Sequence, residues 1–134
     1  MMFSDTNVFV YAFSADPKRV AAQRILADGG LISAQVLNEF TSVMRAKARR
    51  TWEEIERSLS LILRRFPTVL PLTVETHAAA FALARDHSLP FYDALIVAAA
   101  IEAGCETLYS EDFQHGRRFG DCTIVNPFLG GSGG

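Results

Sequence analysis

Cysteine is scarce in this sequence, and so are long apolar runs: there are two cysteines, and the longest apolar run covers residues 94–101. A transmembrane helix needs about 18 or more consecutive apolar residues, so no membrane span is predicted. Cys105 and Cys122 have no metal-ligand spacing and make a poor disulfide framework, which favours free thiols in a reducing cytoplasm. The N-terminus has no basic segment followed by a small-residue cleavage site, so a secretory signal is not expected.

A net positive charge is also absent, since the formal charge at pH 7 is -2. This value argues against a protein that binds nucleic acid through a large overall positive charge. The local distribution differs, because seven of the thirteen basic residues fall between positions 45 and 65, and arginine suits bidentate contacts to phosphate. A charge run of this kind more often forms a solvated helix face, here partly neutralised by Glu53, Glu54 and Glu56.

No internal repeat and no interior linker divides the chain. Its 134 residues, of which 49% are hydrophobic and 21% charged, suit one globular domain. We predict that this domain covers residues 1–129. The last five residues, 130–134, are Gly-Gly-Ser-Gly-Gly, which is the composition of a flexible linker rather than of a folded segment.

Short apolar runs alternate along the chain with segments of helical periodicity. Strands are predicted at residues 2–4, 31–32, 69–72, 107–110 and 123–125. Helices are predicted from Asp16-Pro17 to Gly29, from Ser33 to about Arg50, from the Thr51–Glu54 capping box to Pro67, from Thr73 to about His87, and from Phe91 to Gly104. The alternation predicts a single α/β domain with a central, mostly parallel β-sheet flanked by helices on both faces, in which ligands collect at the carboxyl ends of the strands.

One carboxylate near the start lies in an otherwise apolar stretch, FSDTNVFVY at residues 3–11. Burying a carboxylate without a partner costs several kcal/mol. Asp5 directly follows the first predicted strand. It therefore caps a helix or forms an Asx turn, or else it helps to bind a cation.

Three more acids occupy comparable positions, and each has a structural alternative. Glu39 lies three residues after Val36 on the predicted core stripe of its helix, so it points toward the interior, where a carboxylate needs a partner. Asp93 opens the most apolar helix, where the helix dipole alone is a sufficient reason for an acid. Asp112 follows a strand, where an acid is commonly a turn residue, while its neighbour Glu111 is expected to face solvent.

Together these four acids predict one site, because strand ends and the helices that follow them meet at one edge of a parallel sheet. Carboxylates within a few ångströms of one another repel strongly in a partly dry site. A divalent cation removes that penalty. Ligation by oxygen alone favours Mg²⁺, with Mn²⁺ as a substitute, over zinc.

Five segments carry a pattern beyond these single positions: FSDTNVFVYAFSAD, SAQVLNEF, LPFYDALIVAAAIEAGC, LYSEDFQHG and TIVNPF. In order and spacing they resemble the PIN domains of VapC-type toxins, from residue 2 to about 128. The resemblance implies a cytoplasmic, prokaryotic ribonuclease that depends on Mg²⁺ or Mn²⁺, with catalytic and metal-binding roles for Asp5, Glu39, Asp93 and Asp112. It also implies an RNA substrate, a cognate antitoxin that blocks the site, and a homodimer.

One position departs from the family pattern. Many relatives have a further acid soon after the one that matches Asp112, and here that position is His115. A second metal ion would then be held more weakly, or only when RNA supplies phosphate oxygens. His115 would ligate metal or RNA, or it would be an ordinary loop residue.

The predicted reaction is hydrolysis of RNA phosphodiester bonds by water that a carboxylate-bound metal activates. The three aspartates would be the principal ligands, and Glu39 would bind a second ion or orient the water. Asn7 and Ser110 are candidates for fixing these carboxylates by hydrogen bonds, with plain turn chemistry as the alternative. The candidates for contacts to RNA phosphates are Arg45, Arg49, Arg50, Arg117 and Arg118.

Other functions remain open at this point. A PIN-shaped module that binds RNA or a partner without useful catalysis predicts RNA binding that is indifferent to divalent metal. A receiver domain would need adjacent acids after the first strand, and an Asp-x-Asp phosphohydrolase would need an acid where Asn7 stands. The predicted hairpin at residues 33–66 also offers apolar side chains to the core, to a second copy or to an antitoxin: Trp52, Ile55, Leu59, Leu61, Ile62 and Leu63.

Overall fold

The computed structural model describes residues 1–129, so the predicted linker at 130–134 lies outside the described residues. The described strands are β1 (Met2–Ser4), β2 (Leu31–Ser33), β3 (Thr68–Leu70), β4 (Thr107–Tyr109), β5 (Arg118–Phe119) and β6 (Cys122–Val125). The described helices are α1 (Thr6–Ala12), α2 (Arg19–Asp28), α3 (Ala34–Ala46), α4 (Trp52–Arg65), α5 (Val74–His87) and α6 (Phe91–Glu102).

The strands form one sheet in the order β3-β2-β1-β4-β6-β5. Neighbouring strands pair in parallel except at one edge, where β5 runs antiparallel to β6. β1 lies inside the sheet, with Phe3 in register with Leu31 of β2 on one side and with Leu108 of β4 on the other. The predicted α/β fold with a mostly parallel sheet is confirmed.

The core is built from the apolar side chains of the inner strands and from α6. Phe3, Ile32 and Leu108 lie in three adjacent strands and are fully buried. Every residue of α6 from Ala94 to Ala100 is buried as well. The middle of this helix is apolar on all sides and is covered on all sides, as its sequence predicts.

Both cysteines are buried free thiols, as predicted. Burial raises the pKa of each thiol, and that of Cys122 to about 11. Within residues 1–129, no helix combines the length and the apolar content that crossing a bilayer requires.

Three features of the fold differ from the sequence prediction. α1 lies in a run of β-branched and aromatic residues that favours a strand, yet it is helical because it is capped and because it buries Val8 and Phe9. β5 has two residues and exists through its pairing with β6. α3 ends at Ala46 rather than near Arg50, and Arg49 has a positive φ of 54°, which is incompatible with a continuing α-helix.

Thr51 caps α4 with both halves of the predicted capping box. Its Oγ1 accepts a hydrogen bond from the Glu54 amide at 3.1 Å, and the Glu54 carboxylate accepts one from the Thr51 amide at 2.9 Å. Because Thr51→Ala removes the first bond, we expect the free energy of unfolding to fall by about 1 kcal/mol. Urea unfolding measures this loss, with Thr51→Ser as the control that keeps the hydroxyl. Equal losses in both variants would argue against the cap.

Candidate functional site

Asp5 directly follows β1 and caps α1. It is the most buried of the four predicted acids. Its Oδ1 accepts a hydrogen bond from the Thr6 amide at 2.6 Å, and its Oδ2 accepts one from Ser110 Oγ at 2.7 Å. The residue is 2% exposed. Its pKa is raised to about 7, mainly by burial and also by the charges of Asp112 and Glu39, while the hydrogen bonds from Ser110 and Thr6 oppose this shift.

Glu39 lies at the border between the buried and the exposed faces of α3. The prediction that it shares the core stripe is wrong in detail, because Val36 and Phe40 are buried whereas Glu39 is only half-buried. Its two oxygens are satisfied from two directions. Thr6 Oγ1 donates to Oε1 at 2.7 Å, and Gln35 Nε2 donates to Oε2 at 2.9 Å. The required partner is therefore a pair of neutral donors rather than a basic residue.

Asp112 reaches the same region from the loop after β4. Its amide donates to Ser110 Oγ at 3.1 Å, so this one hydroxyl links Asp112 to Asp5. Asn7 Nδ2 lies 3.3 Å and 3.5 Å from the two carboxylate oxygens of Asp112. Asn7 and Ser110 thus make hydrogen bonds to the acids that they were predicted to orient.

Asp93 is the third residue of α6 and completes the group of four. Burial, together with the charges of Asp112 and Glu39, raises its pKa to about 6. Asp5 and Asp93 thus each interact with Asp112 and Glu39, although the four residues lie on four different segments of the chain. The structure brings the predicted acids together at one end of the sheet.

The donor set fits a hard divalent cation, because all four side chains are carboxylates and their repulsion is relieved by positive charge. In the described part of the chain, no three Asp, Glu, His or Cys side chains are grouped closely enough to enclose a metal ion. An ion would therefore be held by one or two of these carboxylates and by water molecules, which is how Mg²⁺ is commonly bound.

Glu111 is not solvent-facing, and that prediction is wrong. Its side chain is 18% exposed, it accepts a short hydrogen bond from the Tyr11 hydroxyl, and Lys18 Nζ lies 2.8 Å from Oε2. The Lys18 ammonium also stands 4.8 Å from the centroid of the Tyr11 ring. Because Glu111 precedes Asp112, this cluster ties the loop that carries Asp112 to α1. No sequence signal marks it, since the partners lie far apart in the chain.

His115 is anchored in its loop. Its Nδ1 accepts a hydrogen bond from the Asn126 amide at 3.0 Å, which joins the loop to the segment after β6. This bond gives His115 a structural role in the loop, and it occupies one of the two ring nitrogens. The interpretation as a loop residue is therefore favoured over that as a ligand through Nδ1.

The arginines predicted to contact RNA have protein contacts of their own. Arg45 stacks on Trp52, with 4.7 Å between the guanidinium carbon and the ring centroid, and Arg117 stacks similarly on Phe119 at 4.5 Å. Arg50 donates to the Phe13 carbonyl at 3.3 Å. Their role toward RNA, like that of Arg49 and Arg118, stays a prediction.

Asp93→Asn is expected to stabilise the metal-free protein above neutral pH. The pKa of Asp93 in the folded protein, about 6, exceeds its ordinary value of 3.8, so stability falls as the pH rises between these values. The variant should therefore unfold about 2–6 °C above the parent at pH 8 in EDTA. Losing a carboxylate from the first turn of α6 costs about 0.3–1 kcal/mol and limits the gain.

Thermal unfolding between pH 4 and pH 8 tests this expectation, because the difference between the two proteins should shrink as the pH falls toward 4. Asp28→Asn, at an exposed position, is the matched control. If parent and variant unfold together at pH 8, the raised pKa is wrong.

Solved structures of toxins have the same fold. VapC20 of Mycobacterium tuberculosis, a sarcin-ricin loop cleaving toxin, has a TM-score of 0.70 and 20% identity, covering 84% of this chain and 90% of that chain. A toxin–antitoxin complex from Klebsiella pneumoniae has a TM-score of 0.70 and 19% identity, covering 95% and 98% of the two chains. VapBC2 from Rickettsia felis, bound to a DNA fragment from its promoter, has a TM-score of 0.65 and 20% identity, covering 92% and 97%.

Sequence comparison extends this likeness of fold to a family. No curated protein sequence matches the chain. The family model of the PIN domain, however, matches residues 2–118, which is most of the described chain. The chain therefore belongs to the PIN domain family.

Proposed function

We propose that this protein is an endoribonuclease that hydrolyses RNA phosphodiester bonds with Mg²⁺ or Mn²⁺. The observation that carries the proposal is the group of four interacting carboxylates, in which Asp5 is buried and has a pKa raised to about 7. Raised pKa values of this kind cluster at functional sites, where a cation or a substrate offsets their cost. Membership of the PIN domain family supports nuclease chemistry.

The aspartates Asp5, Asp93 and Asp112 would hold the ion, directly or through water. Glu39 would hold a second ion or orient the attacking water. When bound, the ion lowers the pKa of water and neutralises charge that develops on the phosphate. The task of the protein is orientation: Ser110 and the donors on Asn7, Thr6 and Gln35 fix the carboxylates in place.

Two bound divalent cations would also change the electrostatics of substrate binding. The chain alone carries a formal charge of -2, which repels a polyanion. Two divalent ions would make the net charge positive, and they would place that charge at the carboxylates. Bound cations would therefore allow a protein with a negative formal charge to bind a polyanionic substrate.

We further propose that the protein acts in the cytoplasm as the toxin of a VapBC-type pair, with a cognate antitoxin and a second copy of the chain as partners. The similar solved structures include a VapC toxin and two toxin–antitoxin complexes. On the predicted hairpin, Ile55 and Ile62 are buried, whereas the side chains of Trp52, Leu61 and Leu63 are exposed. These exposed apolar residues on α4 are available to a partner.

A cleavage assay tests the proposed reaction. Purified protein with Mg²⁺ or Mn²⁺ should cut members of a panel of transfer, ribosomal and messenger RNAs, and excess EDTA should abolish the cleavage. A preparation equally active in EDTA would refute metal dependence. RNA binding that needs no metal and leads to no cleavage would favour the alternative, a PIN-shaped binding module.

The antitoxin is tested separately through the neighbouring gene. A short adjacent reading frame that encodes a small DNA-binding protein with a disordered tail is expected. Its product should form a complex with this protein and suppress the cleavage of RNA. If the product binds neither the protein nor its site, the toxin–antitoxin assignment fails while the nuclease assignment stands.

A further inference from the structure

A cleft of about 440 Å³ adjoins the carboxylate group. It is lined by Gln35, Asn38, Glu39, Ser42 and Tyr92. Four of the lining residues belong to α3 and lie within two turns on one side of the helix; Gln35 is buried at its inner border, and Asn38 and Ser42 are exposed. Glu39 therefore belongs both to the cleft and to the candidate catalytic site.

Tyr92 supplies the only aromatic ring among the residues that line this cleft. The residue is 63% exposed and directly precedes Asp93 in the first turn of α6. Its ring meets that of Phe91 edge-on at 6.1 Å between centroids, and Phe91 in turn contacts His77. The backbone of α6 thus presents a large aromatic surface to solvent one residue away from a candidate metal ligand.

We propose that this cleft binds one unpaired nucleobase of the RNA beside the scissile phosphate, with the base stacked on Tyr92 and its edge facing Asn38 and Ser42. The proposal rests on the proposed function. Glu39 lines the cleft and also belongs to the candidate catalytic site. If the scissile phosphate binds near Asp93 and Glu39, the base attached to it would therefore lie close to the cleft. Sequence-selective recognition of RNA commonly uses such splayed bases, stacked on aromatic side chains and hydrogen-bonded at their edges.

The polar groups of the cleft are those that can recognise a base edge. Within residues 1–129, the side chains of Asn38 and Ser42 and the Tyr92 hydroxyl make no hydrogen bond to protein, which leaves donors and acceptors free. The Asn38 amide offers a donor and an acceptor together, which matches the edge of an adenine. Gln35 is committed to Glu39 through its amide group, so it holds the acid rather than the base.

The charge along α3 also fits RNA better than a protein partner. Arg45 follows Ser42 by three residues, about 4.5 Å along the helix axis, and its guanidinium is held over Trp52. In this proposal it would meet the phosphate on the far side of the base, which is the kind of contact that the sequence predicts for it. A protein segment would instead need a pocket of aliphatic and aromatic side chains for an anchor residue, and none of the residues that line this cleft is aliphatic.

Substitution of Tyr92 tests the proposal in the RNA cleavage assay. Tyr92→Ala should raise KM about 10-fold to 100-fold and leave kcat within a few-fold of the parent, because stacking contributes to binding rather than to the chemical step. Tyr92→Phe and Tyr92→Trp keep an aromatic face and should stay close to the parent. Phe81→Ala removes another exposed ring, on α5, and is the matched control that should leave KM unchanged.

Substitution of Asn38 tests the contact to the base edge. Cleavage products of Asn38→Ala and of the parent are sequenced, and the base next to the cut should be less restricted in the variant. Thermal unfolding should be unchanged, since Asn38 and Tyr92 are exposed.

The outcomes separate this inference from the proposed function. A parent that cleaves RNA, together with a Tyr92→Ala variant of unchanged KM and unchanged cut sites, would overturn the base site and leave the nuclease intact. A Tyr92→Ala variant that changes the oligomeric state instead of KM would assign the ring to a second copy. If the parent cleaves no RNA, binding of a labelled single-stranded RNA decides: equal affinity of parent and Tyr92→Ala overturns the base site, and a 10-fold loss supports it.

Discussion

Asp5→Asn is expected to lower the rate of RNA cleavage by about 10²–10³-fold or more, since losing one preorganised electrostatic contact in an active site typically has an effect of this size. Asparagine has the shape of aspartate but lacks the charge that a cation requires. The change should not unfold the protein. Because burial raises the pKa of Asp5 to about 7, the ionised carboxylate costs the metal-free fold stability at neutral pH, and the amide removes that cost.

Initial rates over a range of Mg²⁺ concentrations measure this effect, alongside thermal unfolding of the same preparations. Asp28→Asn, an exposed aspartate on α2, should retain the parental rate. A folded Asp5→Asn protein that cuts RNA as fast as the parent would show that the catalytic assignment is wrong. A variant that is inactive but unfolded would be resolved by Asp112→Asn, which lies in a more exposed loop and should give a comparable loss.

Phe66→Ala is expected to lower the free energy of unfolding by about 3–5 kcal/mol. Phe66 is fully buried and meets Phe9 edge-on, with 5.0 Å between ring centroids. It also packs beside Gly30, where a Cβ would lie 3.4 Å from its ring. One side chain therefore joins the end of α4, the middle of α1 and the entry to β2. A domain of this size is stable by only about 5–15 kcal/mol, so the loss is a large fraction of the total.

Urea unfolding monitored by circular dichroism measures this loss. Phe81→Ala deletes the same atoms from a side chain that is 55% exposed and should change the free energy of unfolding by less than about 1 kcal/mol. Phe66→Leu should fall between the parent and Phe66→Ala. Similar losses in Phe66→Ala and Phe81→Ala would mean that burial does not decide the cost.

The elements that could be predicted are those whose signal is local. The capping box at Thr51, the unbroken apolar run in α6 and the short apolar strands each fix their own conformation. α1 could be predicted only in part: a helix cap is one of the alternatives for Asp5, but the residues that follow favour a strand, and their helical form depends on packing. β5 is a two-residue strand that only its neighbour defines, so no pattern in its own sequence marks it.

The candidate site divides in the same way. The acids stand out in the sequence because a carboxylate beside an apolar run is costly to bury unless it has a partner. Their partners do not stand out: Thr6 is a common residue, and its bond to Glu39 exists only after α1 and α3 meet. Glu111 likewise depends on Lys18, which is brought to it by the fold. The catalytic roles themselves stay predictions until the variants are assayed.

The place of β1 within the sheet has a consequence for biosynthesis. β1 is synthesised first, yet one of the two strands that flank it, β4, begins only at Thr107, and Asp112 follows later still. At typical translation speeds the ribosome needs roughly ten seconds to make this stretch. A nascent chain therefore lacks the complete set of four acids until translation has passed Asp112.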